Sequence, residues 1–152
     1  MSLGRDAILA CIPHQGTMCL WDTVQEWNQR HIVLSSTTHR QATHPLRQAN
    51  QLHSVILCEY AAQAMAVHGG LMAQAEHSPM RVGRLVALHN VHLSVDRIDT
   101  LNGLLYCHAT CLARNGLSAS YTFQLSHTGD QLAAGRATVD FSEGVDHRSS
   151  SR

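Results

Sequence analysis

Ser54-Val-Ile-Leu-Cys-Glu-Tyr-Ala-Ala-Gln-Ala-Met-Ala-Val-His-Gly-Gly70 is the stretch whose reading decides the fold of this chain. It is rich in Ala, Leu and Met, contains no proline, and is longer than most strands, so it is predicted as a helix running from about His53 into the 70s. Glu59 is the only formal charge between Arg47 and Glu76. A carboxylate buried without a partner is costly, and the usual outcome is a raised pKa and a neutral acid. An acid in that state can donate a proton. Gln63 lies one turn beyond Glu59, so one helix face is expected to offer an acid and an amide together. A buried glutamate satisfied by hydrogen bonds, with no chemistry, is the other reading of the same feature.

Outward from this helix the sequence reads as strands. Residues 18–27 and 31–38 alternate β-branched and aromatic residues with polar ones around the turn-prone Asn28-Gln29-Arg30, which predicts a hairpin. Residues 4–11 are predicted as a short N-terminal helix and 43–52 as a loop, since His44-Pro45 biases the backbone to extended conformations. Gly69-Gly70 marks a close approach or the weakening end of the long helix, and Pro79 closes that region. Residues 83–95, 103–113, 117–126 and 131–141 are predicted as strands, the last three forming an antiparallel meander across Asn-Gly and Thr-Gly-Asp turns. The expected architecture is α+β: an antiparallel β-sheet wrapped around one long central helix over residues 1–142, followed by a disordered tail at 143–152.

Composition narrows the function. The chain has 152 residues, balanced formal charge and no stretch dominated by one sign, so nucleic acid is not an expected partner. All eleven basic side chains are arginine, which excludes Schiff-base chemistry and a P-loop lysine. The apolar run at 7–12 is short and preceded by Asp6, and no later run reads as a membrane span, so a soluble cytoplasmic protein without a membrane partner is expected. Five cysteines, an odd number without paired spacing, argue against a disulfide framework. On a strand Cys107 and Cys111 stand about 13 Å apart, beyond the roughly 7 Å limit for a bridge. Twelve histidines raise the question of metal, but none shows ligand spacing. His89 and His92, three apart on a predicted strand, are expected on opposite faces. No metal and no cofactor are expected.

Two motifs carry a resemblance. Ile12-Pro13-His14-Gln15-Gly16-Thr17-Met18-Cys19-Leu20-Trp21-Asp22-Thr23-Val24 resembles the first-strand motif of the β-hydroxyacyl-acyl-carrier-protein dehydratases of type II fatty acid synthesis. Glu59-Tyr-Ala-Ala-Gln63 resembles the helix motif of the same family, and the longer string to Gly70 is closer still to the dehydratase-like proteins of aryl-polyene lipid pathways. The order and separation of the two motifs match.

The resemblance implies a hotdog fold and dehydration of a 3-hydroxyacyl thioester on acyl carrier protein to the trans-2-enoyl product. It also implies a dimer, with an identical chain or a paralogue, in which acid and base come from different subunits and the acyl chain lies along the helix. Glu59 matches the acid. His44 is the expected base, with His53 at the helix start as competitor and substrate-binding residue, and His39 a distant third. The Ser54 amide is expected to polarise the thioester carbonyl, Gln63 to hydrogen-bond Glu59 or a loop carbonyl and so orient the acid, or else to meet a partner subunit, and His14 to order the N-terminal segment. Arg81, Arg84 and Arg97 are expected by default to be solvated, the alternative being that they face a carrier protein or a phosphopantetheine phosphate. The loop 43–54 lacks the two glycines of the family's pattern and is one residue longer between His and Glu. Thioester hydrolysis, and a non-catalytic dehydratase-like partner subunit, are the alternative functions.

Overall fold

The computed structural model describes residues 2–141; the expectation for the tail at 143–152 falls outside them. α1 (Arg5–Leu9) and a 3-10 turn at Gly16–Met18 lead into an antiparallel hairpin of β1 (Thr23–Trp27) and β2 (His31–Ser36). After the loop, a 3-10 turn at Ser54–Ile56 opens directly into α2 (Leu57–Ala75). The remaining strands are β3 (Arg84–Leu93), β4 (Leu105–Arg114), β5 (Ser118–His127) and β6 (Asp130–Asp140). All six join one antiparallel sheet in the order β1-β2-β4-β5-β6-β3, so the predicted meander is present as β4-β5-β6.

The sheet buries one face against α2. Along β5 every second residue, Ala119, Tyr121, Phe123 and Leu125, points into the core, the period-2 signature of a half-buried strand. Leu57, Tyr60, Ala61, Ala64, Val67 and Leu71 meet it from α2. Each large apolar side chain buried this way contributes about 2 kcal/mol. The segment Ser54–Ala75 is, contrary to the sequence reading, long and apolar enough to cross a membrane by length and composition. In the fold 61% of that window is buried, the situation of a core helix that passes the same test.

Two departures have local causes. β1 starts at Thr23 rather than near Met18, because the backbone groups of the preceding residues are claimed by side chains instead of a ladder. Gln63 takes Met18 O and Leu20 N, Arg5 takes the Cys19 and Trp21 carbonyls, and Ser36 and Thr38 share Leu20 O. In β3 a bulge between His89 and His92, with Asn90 at φ 53°, breaks the alternation that would place those histidines on opposite faces; both are exposed.

The two borders of the sheet differ. The outer side of β1 is covered by Leu3, which exchanges both backbone hydrogen bonds with Val24 at 2.9 and 2.8 Å. β3, at the other border, pairs only with β6 among the described residues and exposes Val86, Leu88 and Leu93. Of the two helix glycines, Gly70 marks a true close approach: a Cβ there would lie 2.6 Å from Cys11 Cβ and 3.0 Å from the Cys11 backbone.

Candidate active site

The flank of α2 turned away from the sheet carries Glu59, Ala62, Ala66 and Gly69, and it walls a groove of about 980 Å³. Cys11, Ile12, Pro13 and His14 line the groove from the N-terminal segment, and Met80–Leu85, Val139 and Phe141 from the sheet side. Glu59 thus sits in the first turn of α2 at the edge of a mainly apolar trough. Contrary to the expectation of burial, its side chain is exposed in the single chain, and no arginine pairs with it among the described residues. The reason is helical geometry: its apolar sequence neighbours Leu57, Tyr60 and Ala61 turn into the sheet, while its own face remains open to the groove.

Gln63 also lines the groove, but its amide is not directed to the acid. Nε2 donates to Met18 O at 2.8 Å and Oε1 accepts Leu20 N–H at 2.9 Å. Trp21 Nε1 adds a bond to Tyr60 O at 2.8 Å. Residues 18–21 are therefore strapped to the first two turns of α2, and of the partners expected for Gln63 the amide meets a loop carbonyl rather than the acid. Which carbonyl was not legible in the sequence, because the strapped backbone lies 43 and 45 positions away.

His44 is not placed to serve as the base. It is buried outside the groove lining, and both ring nitrogens are engaged. Leu46 N–H donates to Nδ1 at 3.1 Å, so the neutral ring carries its proton on Nε2, which donates to the Tyr60 hydroxyl at 3.1 Å. Tyr60 then meets Thr38 Oγ1 at 2.8 Å, and Thr38 donates to Leu20 O at 2.7 Å. Burial, with Arg47 and His39 adding repulsion, pushes the His44 pKa down to about 4 and keeps the ring uncharged. Tyr60 is the polar centre of this chain of bonds, and burial raises its phenol pKa.

The other loop candidates are likewise committed or remote. His53 is exposed and bridges Arg97, and the groove lining includes neither it nor Ser54. The Ser54 amide donates to Asp96 O at 2.9 Å and so is spent on the chain itself. His39 is buried with Nε2 on Leu101 O at 2.7 Å. Arg97 is paired with Asp99, whose carboxylate also accepts Leu52 N–H and is held well below the usual range by the guanidinium. Arg81 donates to Gly116 O, and with Arg84 and Arg114 it lines the groove.

His14, expected to order the N-terminal segment, makes no hydrogen bond among the described residues. The ordering work near it is done by Gln15, which donates to Leu9 O and Ile12 O, and by Arg5, which bonds Asp22 and the Gly16, Cys19 and Trp21 carbonyls. His14 itself lines the groove. The described residues contain no group of three or more His, Cys, Asp or Glu placed to hold a metal ion.

A family model described as ApeP-like, ApeP dehydratase, matches residues 7–147. Among solved structures the chain is similar to the dehydratase heterocomplex ApeI:P from Xenorhabdus doucetiae, with 21% identity, a TM-score of 0.83, and coverage of 93% of this chain and 95% of that one. It is also similar to zebra fish thioesterase superfamily member 2, at 16% identity and TM-score 0.61 over 90% of this chain and 94% of that one. S. sahachiroi AziG matches at 12% identity and TM-score 0.57 over 78% and 88%. At such identities the likeness carries the fold, which is the hotdog fold. No curated protein matches the chain.

Proposed function

The chain belongs to the ApeP-like dehydratase family, and from that membership we propose that it removes water from a 3-hydroxyacyl thioester on an acyl carrier protein, giving the trans-2-enoyl thioester. A dehydratase-type hotdog function is the coarse statement that family and fold carry. The observation supporting the finer one is the position of Glu59, a carboxyl in the first turn of the helix at the wall of a mainly apolar groove.

In this reading the acyl chain lies along Ala62, Ala66 and Gly69, whose small side chains leave room for it. A base removes the α-proton, and the electron pair moves onto the thioester carbonyl as an enolate. Glu59 gives its proton to the β-hydroxyl, the C–O bond breaks, and water leaves as the Cα=Cβ bond forms. The protonated base then returns a proton to the Glu59 carboxylate. General acid assistance of this kind is worth about 10²–10⁴ in rate.

Glu59 functions as an acid only where water is excluded, and the single chain leaves it open. Pairing of a second chain along the bare β3 border would cover Val86 and Leu88 and close the groove over Met80 and Val82. A paralogue as that second chain is favoured by the solved neighbour being a heterocomplex.

The test is incubation of the protein, alone and with candidate paralogues, with 3-hydroxyacyl carrier-protein thioesters, with products followed by mass. Loss of 18 Da from the acyl group, abolished by Glu59→Gln in a variant with unchanged circular dichroism, is the expected result. Near-normal turnover in Glu59→Gln excludes Glu59 as the acid, and release of free acid moves the activity to hydrolysis. The engagement of His44 within the fold favours a second reading, a subunit that contributes Glu59 and depends on a partner for its base. Turnover that requires the paralogue's histidine would establish it.

A further inference from the structure

We propose that His14 is the imidazole that removes the substrate's α-proton in the groove it shares with Glu59, so that this chain carries base and acid of its own. The inference rests on the dehydratase reading above and adds the missing half of its chemistry. The buried histidines, none of which lines the groove, are each tied to the fold, although the Nδ1 of His39 is also left without a partner. His44 is held between Leu46 N–H and Tyr60, His68 between Tyr121 OH at 2.7 Å and Asn28 O at 2.8 Å, and His39 by Leu101 O. The His14 ring makes no hydrogen bond among the described residues, and its Nδ1 is shut off from solvent without a partner. Nε2 has no partner either and is not closed off, so it is the ring nitrogen that a molecule in the groove can reach.

The segment bearing His14 is held so that the ring stays over the helix. Cys11 seats against the bare Cα of Gly70, and residues 18–21 are bound to Gln63 and Tyr60 O. The chain from 11 to 21 therefore runs antiparallel to α2 between the levels of Gly70 and Tyr60, about 15 Å apart along the axis. His14 comes from within that span, and Gln15 fixes the turn beside it through Leu9 O and Ile12 O. A rigid support of this kind is what a group needs to meet a C–H bond in a fixed direction. In the step itself the C–H bond breaks, its proton passes to the imidazole, and its electron pair enters the enolate; transfer of a proton from the imidazolium to the Glu59 carboxylate after water has left restores both groups.

The test uses the full chain with a 3-hydroxyacyl pantetheine thioester in D2O, following enoyl product and deuterium at the α-carbon of unreacted substrate. Expected is that Glu59→Gln loses dehydration but keeps α-exchange, whereas His14→Gln loses both by about a hundredfold or more. A folded His14→Gln that exchanges and dehydrates like the wild type overturns the assignment, as does loss of dehydration with exchange unchanged. If wild-type protein forms no enoyl product, the dehydratase reading is what fails. His14 is then examined by titrating a trans-2-enoyl pantetheine amide into protein with ¹³C-labelled histidine. A shift of the ring signal that is missing in His14→Gln retains His14 as a ligand-facing group. A silent His14 signal, while the Met65 methyl in the same groove shifts, overturns it.

Discussion

Gln63 on α2 clasps Leu20, accepting its backbone N–H at 2.9 Å, and with the same amide donates to Met18 O at 2.8 Å. Leu20 is buried, so no water replaces the lost acceptor if the amide is removed. Gln63→Leu, similar in volume, is therefore expected to lower stability by about 1–3 kcal/mol, read as a reduced urea midpoint. It should also loosen the segment that holds His14, lowering kcat more than it raises KM. A variant of wild-type stability would show that the two bonds contribute little net free energy.

Acid lability is a second expectation. His44 has a folded pKa of about 4 against 6.5 when free, so between those values the unfolded chain binds a proton that the native chain does not. Stability is thus fully present above about pH 6.5 and falls as pH drops toward 4, by up to about 3 kcal/mol from this residue. His39 and His68, whose pKa values burial also lowers, act in the same direction. In His44→Phe the pH dependence of the urea midpoint should flatten across this window. An unchanged slope would assign the acid sensitivity to the other two. Turnover per folded molecule should survive the substitution, which a base at His44 would not permit.

Gly70→Ala tests the close approach to Cys11. On an open helix surface the change would stabilise by nearly 1 kcal/mol. Here the added methyl meets Cys11 Cβ at 2.6 Å and its backbone at 3.0 Å, so the net effect is expected to be destabilising, by about 1–2 kcal/mol, and to depress activity by moving the Cys11–His14 wall. A higher melting temperature would show that the segment yields freely.

Charges placed on the bare strand test pairing. Val86→Asp together with Leu88→Asp puts two carboxylates on exposed positions of β3 that a second chain would have to bury. The mass by light scattering is expected to fall to that of one chain with circular dichroism unchanged. A mass unaffected by these charges would move the contact to another surface.

Most of the fold was legible because its signals are local and periodic. The apolar run around Glu59 gives α2, the alternation from Ala119 to Leu125 gives a half-buried strand, and the Thr-Gly-Asp turn gives the last hairpin. The site was less so, because it depends on which way each residue turns once the helix is docked. Glu59 looked buried from its neighbours in sequence, yet three of them face the sheet and it faces the groove. His44 looked free as a loop residue, and the hydroxyl that captures it, Tyr60, lies 16 positions away. The first-strand motif was recognised, but that Gln15 and Arg5 supply the hydrogen bonds that order its segment could not be read from it, because their partners are backbone carbonyls.

The cover that Leu3 gives β1 has a consequence for association. A molecule with one sealed flank and one available flank can be joined once. Two copies meeting at their available flanks leave no further strand to extend, so growth ends at the pair and cannot run on into a ribbon. In the pairing proposed above, the few residues ahead of the first helix would thereby confine strand addition to the other flank.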